Sequence, residues 1–277
     1  MLVSRLLLSA ILVAALFPGS ATAARRTDLP VSYITLQQQL IQQGLPSDYV
    51  FKLFADPRCQ FLPDIVKKNA TIRKERLADY SQFLNQQTVA RGREYIQEHR
   101  LQLNRAKERF GVAPEVIVGI LTVETNLGNV TGKYPVFNVF ASLSVMDTPE
   151  ALGKAGLGTE YLGKVKKRAS WARRELHTYI GYCLKNRLDP FSYSGSWAGA
   201  MGYSQFLPSS LAACGADGSG DGKVDLFTHP DAIMSIANYL KRSGFNMNNR
   251  ATWSKAVYAY NHSQAYVEAV LTLASWY

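Results

Sequence analysis

The chain has 277 residues, of which 47% are hydrophobic, 19% charged and 11% aromatic. This composition excludes a disordered, collagen-like or low-complexity protein, because the apolar fraction is that of a packed globule. The length suits one large domain or two modest ones. Lys and Arg outnumber Asp and Glu by 31 to 21, a net charge of +10. That excess indicates an anionic partner: nucleic acid, anionic lipid or an acidic polymer.

The first 23 residues have the order of a secretory signal peptide. Arg5 is their only charge, an apolar run follows over residues 6–17, and the small residues Ala21-Thr22-Ala23 come next. The run is too short to span a bilayer as a helix, and a buried core helix would not explain the order. We therefore predict export to the periplasm. No cysteine lies near the cut to carry a lipid anchor, and the mature chain keeps a charge of +9. Export excludes nucleic acid as a partner and leaves a membrane surface or a cell-wall polymer.

The next hundred residues indicate amphipathic helices. Apolar spacing predicts helix over residues 31–110, with a break at Asp56-Pro57 and a solvent-facing helix or helical pair over 87–110. Strand-like alternation is scarce along the whole chain, so we predict a mainly α fold. The three cysteines are too few for a disulfide scaffold and form no zinc motif, and their spacing leaves open which two would pair in an oxidising compartment.

Residues 113–127 predict a buried helix that carries a carboxylate. Pro114 and Glu115 are typical of a helix start, and residues 116–123 are almost wholly apolar. At 100° per residue, Glu124 falls on the same face as Ile117, Ile120 and Leu121. Apolar surroundings disfavour the charged form of a carboxyl and so raise its pKa, which suits a general acid. The alternative is a structural glutamate paired with a buried arginine or with backbone groups.

Residues 192–210 combine three glycines with polar and aromatic side chains. Small residues allow close approach of the backbone to a ligand. The amide of Gln205 and the rings of Tyr193, Trp197 and Tyr203 suit sugar binding. The alternative is a tight loop packed against a helix.

Residues 217–223 resemble the opening of an EF-hand calcium loop. Asp217, Ser219 and Asp221 supply side-chain oxygens at positions 1, 3 and 5, and Lys223 supplies a carbonyl at position 7. Position 12 is Thr228 instead of Glu, and Asp231 offers the missing carboxylate. The alternative is a solvated Asp/Gly/Ser turn.

Two further helices are predicted beyond this loop. The first begins near Asp231, carries Tyr239 and stops at Gly244, and Ser263 is a candidate N-cap for the last helix, which carries Tyr266. Core packing is the alternative role for Tyr239, Tyr260 and Tyr266.

Taken in order, these segments resemble the lytic transglycosylase B family of peptidoglycan-cleaving enzymes, which are related in fold to goose-type lysozyme. The resemblance covers about residues 103–277 and rests on several motifs in register. They are GVAPEVIVGI followed by VET at residues 123–125, AGAMGYSQFLPSS at 198–210, the Asp217 loop, DAI through ANY at 231–239, and YNHS at 260–263.

The resemblance implies a goose-lysozyme-like helical core at 101–277, preceded by an N-terminal helical region at 24–100 and the signal peptide at 1–23. It implies that Glu124 is the single catalytic acid and base. It implies a substrate-binding set of Ser196, Gln205, Tyr239, Tyr260, Asn261, Tyr266, Lys167, Arg168 and, as the nearest match to a family tyrosine, Tyr80. It implies a structural calcium ion on Asp217, Ser219, Asp221, Lys223 and Asp231, and no cofactor for the chemistry.

The expected function is cleavage of the MurNAc–GlcNAc bond in peptidoglycan glycan strands, with formation of 1,6-anhydromuramic ends. The alternatives are a hydrolytic muramidase on the same fold, a catalytically silent wall-binding protein and an exported calcium-binding module. Two departures from the family pattern stand out. Residues 146–164 have no match, and the short 244–257 segment indicates that a small β-rich insert before Tyr260 is absent.

Overall fold

Helices dominate the chain, as the apolar spacing predicts. The structure is a computed structural model that describes residues 29–73 and 76–277, so the predicted signal peptide lies outside the described residues. The α-helices in the described ranges are α1 (Ser32–Gln42), α2 (Ser47–Ala55), α3 (Pro63–Ala70), α4 (Gln86–Glu98), α5 (Arg100–Phe110), α6 (Pro114–Thr125), α7 (Val136–Ser144), α8 (Pro149–Lys154), α9 (Leu162–Asn186), α10 (Pro208–Cys214), α11 (His229–Arg242), α12 (Ala251–Tyr260) and α13 (Gln264–Trp276).

Short elements complete the architecture. Three 3-10 turns lie at Leu77–Asp79, Ser81–Phe83 and Thr159–Tyr161. Strands β1 (Tyr134–Pro135) and β2 (Ser194–Gly195) pair antiparallel, with Tyr134 opposite Gly195. The polar stretch predicted as a helix or helical pair is the pair α4 and α5, and the unmatched 146–164 segment contains α8 and a 3-10 turn.

The apolar side chains form two clusters. In the first, α1, α2 and α3 pack with α7, α8 and α9. In the second, α6 packs with α4, α5, α11, α12 and α13. Helix α6 is the centre of the second cluster, since residues 116–123 are all buried. At about 1.5–3 kcal/mol for each large apolar side chain, this burial holds α6 firmly in place.

Two glycines allow close backbone contacts in α6 and in the loop that follows it. A Cβ on Gly119 would lie 2.9 Å from the carbonyl oxygen of Val270, so α6 and α13 meet at a distance that only glycine allows. Gly132 has φ +93°, and a Cβ there would lie 2.2 Å from the carbonyl carbon of Gly195. The loop that follows α6 therefore lies directly against β2 and the glycine-rich segment.

Two further features of the fold are the burial of the cysteines and the length of the helices. Cys59, Cys183 and Cys214 are all buried. Within residues 29–73 and 76–277, no helix combines the length and the apolar character needed to cross a bilayer.

Candidate active site

Glu124 lies in the last turn of α6, next to a tyrosine that donates a hydrogen bond to it. The hydroxyl of Tyr266 donates to Oε1 of Glu124 at 2.7 Å. Tyr266 stands in the first turn of α13, where the predicted N-cap Ser263 accepts a bond from the Tyr266 amide. Burial and the charge of Glu124 raise the pKa of Tyr266 well above its usual value, so the phenol keeps its proton and remains a donor.

Glu124 opens onto a groove of about 530 Å³. The groove is lined by Glu124, Arg168, Trp171, Ser196, Trp197, Ala198, Ala200, Gln205, Phe206, Leu207, Ser210, Tyr239, Tyr260, Asn261 and His262. The structure thus brings six of the residues predicted to bind substrate to the same groove as Glu124: Arg168, Ser196, Gln205, Tyr239, Tyr260 and Asn261. No other Asp or Glu lines the groove in the described part of the chain.

The other three predicted residues lie outside the groove lining. Tyr266 is buried behind Glu124, and Tyr80 packs edge-on against Tyr266 with ring centroids 6.0 Å apart. Lys167 is exposed on α9 beside Arg168. Tyr266 therefore contacts Glu124 from within the protein, and Tyr80 packs against the ring of Tyr266.

Two groove tyrosines use their hydroxyls to fix the backbone. Tyr239 donates to the carbonyl of Ala259, and Tyr260 donates to the carbonyl of Ser204. Burial raises the pKa of both phenols, so both stay protonated. The Tyr260 ring also lies parallel to that of Tyr266, at 6.4 Å between centroids. These tyrosines tie α11, α12 and the glycine-rich segment together and offer ring surface to the groove.

Gln205 presents a hydrogen-bond acceptor to the groove, and Ser196 presents a donor. The Gln205 amide nitrogen donates to the carbonyls of Thr131 and Gly202, while its Oε1 accepts no bond from the described residues. Gln205 also has φ +49°, a left-handed conformation that costs a non-glycine residue about 1–2 kcal/mol. The Ser196 hydroxyl accepts from the amides of Ala198 and Ala200 and keeps its hydrogen to donate. The groove thus offers one fixed acceptor and one fixed donor.

Two tryptophans of the groove lining lie against cationic side chains. The Arg168 guanidinium lies 5.0 Å from the ring centroid of Trp171, and the Lys68 ammonium lies 4.8 Å from that of Trp197. Arg168 forms no ion pair with any described residue. Burial lowers the pKa of its guanidinium. These cation–ring pairs suit a ligand that carries an anionic group next to a ring.

Trp171 and His262 also line the groove, and neither is among the residues predicted to bind substrate. Trp171 follows Arg168 by three residues in α9, a spacing that places both on one helix face and would have identified it. His262 follows Asn261 directly. No local signal marks Asn69, on α3, whose side chain bonds to Arg168.

The predicted calcium loop is closed by hydrogen bonds to its own backbone. Asp217 accepts from the amides of Gly220 and Gly222, which lowers the pKa of its carboxyl group. The buried Asp231 accepts from the amides of Gly218, Ser219 and Asp225. Among the described residues, no three acidic, histidine or cysteine side chains converge into a metal cluster. The donor set of carboxylates, a hydroxyl and a carbonyl is nevertheless all oxygen, which is the chemistry of a calcium site.

The chain is similar in sequence to a known lytic transglycosylase. Membrane-bound lytic murein transglycosylase B of Escherichia coli K12 is 33% identical over 210 residues, which are 75% of this chain and 52% of that relative. The match thus spans about half the length of the relative.

Two solved structures share the fold. One is the E. coli lytic transglycosylase SLT35 in complex with calcium, with TM-score 0.71 and 24% identity, covering 87% of this chain and 92% of that one. The other is SltB3 of Pseudomonas aeruginosa in complex with NAG-anhNAM-pentapeptide, with TM-score 0.71 and 21% identity, covering 87% and 77%. These neighbours confirm the predicted mainly α, lysozyme-like fold. Residues 32–258, most of the chain, match the transglycosylase SLT domain, and the chain belongs to that family.

Proposed function

We propose that this protein is a lytic transglycosylase that cleaves the MurNAc–GlcNAc bond of peptidoglycan and leaves a 1,6-anhydromuramic end. The observation that carries the proposal is a groove with a single carboxylate among the described residues, Glu124, held by a protonated tyrosine. Glycosidases that act through two carboxylates need a second one about 5–9.5 Å away. A groove lined by one acid favours chemistry in which the substrate supplies the second group.

In the proposed reaction Glu124 acts twice. As the neutral acid it donates its proton to the glycosidic oxygen while the bond from that oxygen to C1 of the muramic residue breaks. The acetamido oxygen of the same sugar stabilises the positive charge at C1. The Glu124 carboxylate then takes the proton of the C6 hydroxyl, whose oxygen attacks C1 and closes the anhydro ring. No water is consumed, and Glu124 ends protonated as it began.

The protein environment supplies both states of Glu124. Apolar neighbours on α6 and the negative end of the helix dipole favour the neutral acid. The bond from Tyr266 favours the carboxylate that forms after proton transfer. The roles of acid and base thus come from two opposed contacts on one side chain.

The lining residues orient the sugar. The Gln205 Oε1 accepts from a substrate amide or hydroxyl, and the Ser196 hydroxyl donates to an acceptor such as the acetamido oxygen. Tyr239, Tyr260 and Asn261 border the same sugars, and Arg168, with Lys167 nearby, faces the carboxylates of the stem peptides. SltB3, whose fold this chain shares, binds a glycopeptide of this class. Export to the periplasm, proposed from residues 1–23, would place the protein beside this substrate.

The test is product analysis from purified sacculi with wild type and Glu124→Gln in parallel. We expect the wild type to release fragments one water lighter than the reducing products, and the variant to lose nearly all activity. Reducing products would instead identify a hydrolytic muramidase, and an inactive wild type that still binds sacculi would identify a wall-binding protein. A Glu124→Gln variant near wild-type rate would contradict the assignment of the acid.

We also propose that the 217–231 loop holds a structural calcium ion through Asp217, Ser219, Asp221, the Lys223 carbonyl and Asp231. The all-oxygen donor set supports this, as does the calcium complex of SLT35, which shares the fold. Bound calcium would neutralise the loop and brace the start of α11, the helix that brings Tyr239 to the groove.

Calcium at 100 times its dissociation constant should add about 2.7 kcal/mol to the free energy of unfolding. We expect a melting temperature about 5–10 °C higher than in EDTA. The double variant Asp217→Asn, Asp221→Asn should lose this shift, and magnesium should not replace calcium. An equal shift in the variant would contradict the site.

A further inference from the structure

A buried asparagine links the N-terminal helices to the groove. Asn69, in the last turn of α3, is 3% exposed and precedes the proposed catalytic residue by 55 positions. Its Nδ2 donates to the carbonyl of Ile65 in its own helix and to the carbonyl of Trp197 at 3.2 Å. Its Oδ1 accepts from Nε of Arg168 at 2.5 Å. One amide therefore joins α3, the glycine-rich segment and α9, and two of its three partners line the groove.

The charge at this junction is uncompensated. Arg168 is half-buried on Trp171, and its terminal nitrogens have no hydrogen-bond partner among the described residues. A neutral amide is an unusual partner for a half-buried guanidinium, because a carboxylate would make a stronger, bidentate pair. Such a carboxylate would also cancel the charge, and the guanidinium would then have little left to offer a ligand.

We propose that Asn69 is a positioning residue of the groove. Its amide fixes the guanidinium of Arg168 and leaves the positive charge of Arg168 for a carboxylate of the substrate. This rests on the proposed function, because the carboxylate belongs to the peptidoglycan strand, on either the lactyl group or the stem peptide. Asn69 itself does not reach the reacting atoms.

The isosteric variant Asn69→Asp separates this role from simple packing. It keeps the volume and an acceptor for Arg168, but it neutralises the guanidinium and removes the donor to Trp197. Binding is measured by tryptophan fluorescence in the Glu124→Gln background, so that no turnover occurs. We expect affinity for peptide-bearing glycan fragments to fall about tenfold or more, the effect of one bond to a charged group. Affinity for neutral N-acetylglucosamine oligomers should stay within about twofold.

Two controls complete the design. Asn138 on α7 is 1% exposed and makes a similar bridge, to the carbonyl of Arg58 and the amide of Gln60, away from the groove. Asn138→Asp should leave both affinities unchanged. In the double variant with Arg168→Gln, Asn69→Asp should add almost no further loss, because both act through one guanidinium. Amidase treatment removes the stem peptides and exposes the lactyl carboxylate, which is an amide in the peptide-bearing strand. Comparing the two kinds of strand therefore identifies which carboxylate is bound.

Three results would overturn the inference: an equal loss of anionic and neutral ligands, additive losses in the double variant, or an unchanged affinity in Asn69→Asp. If Asn69→Asp does not fold, Asn69→Ala takes its place with the same expectation of a selective loss. Failure of the proposed function appears separately, in the products of the wild-type enzyme, which do not depend on Asn69.

Discussion

The hydrogen bond from Tyr266 to Glu124 is the contact whose removal tests the proposed chemistry most directly. Tyr266→Phe deletes only the hydroxyl. The ring keeps its edge-on contact with Tyr80 and its parallel contact with Tyr260. The hydroxyl donates at 2.7 Å to a carboxyl group that must become a carboxylate during the reaction. The substitution therefore leaves the neutral acid nearly unaffected and destabilises the charged form.

The size of the effect follows from the charge of the acceptor. A hydrogen bond to a charged group contributes about 1.5–3 kcal/mol, and each 1.36 kcal/mol is tenfold in rate. We expect the maximal rate of Tyr266→Phe to fall about 10- to 100-fold. Loss of a donor to the carboxylate favours the protonated form, so the rate maximum should also move to higher pH. The assay is release of anhydro-terminated fragments from sacculi between pH 4.5 and about pH 8.

A matched control is Tyr179→Phe, which removes another buried hydroxyl, one that donates to the Pro190 carbonyl at 2.8 Å. It should lower stability without moving the pH profile. A Tyr266→Phe enzyme with the rate and pH profile of the wild type would refute the reasoning, since Glu124 would then form its carboxylate without this donor. A rate loss shared by both variants would show that the effect is one of stability.

Two further predictions concern stability. The rings of His99 and His229 lie 4.4 Å apart, and burial lowers the pKa of both side chains. As the pH falls below about 6.5, the unfolded chain therefore binds more protons than the folded chain. The melting temperature should therefore drop below that pH, and the drop should shrink in His229→Gln but not in His177→Gln. Gly132 has φ +93°, and the Cβ of Gly132→Ala would collide with the backbone of Gly195, so this variant should melt several degrees lower or fail to fold. Gly163→Ala is the control: its Cβ would meet open space, so it should be neutral or stabilising. Unchanged melting of Gly132→Ala would contradict the close contact.

Much of the fold follows from local signals. Pro114 and an almost wholly apolar run define α6 within about two residues, and Ser263 caps α13 through its side chain as predicted. The scarcity of alternating patterns correctly indicates a mainly α chain. These features depend on neighbours in sequence, so a single sequence is enough to find them.

Site residues that lie in sequence motifs could be predicted, whereas contacts between segments distant in sequence could not. Glu124 and Gln205 stand in recognisable patterns, and both lie at the groove. Asn69 stands in an ordinary helix turn, and nothing in its sequence context shows that its amide meets residues 99 and 128 positions away. The loop ligands Asp217 and Asp231 illustrate another limit, because spacing identifies their oxygens but not the backbone amides to which they bond.

The contribution of the N-terminal helices changes how the groove should be understood. The sequence predicts a helical region at 24–100 in front of a core at 101–277, yet both apolar clusters contain residues from each side of this boundary. Helix α3 holds Arg168 through Asn69, and Tyr80 packs against the tyrosine that bonds Glu124. Arg168 and Tyr266 are thus each contacted by a side chain that precedes residue 100. A bound charge and an acid must both be held to within a fraction of an ångström, so we expect these contacts to contribute to specificity and to catalysis.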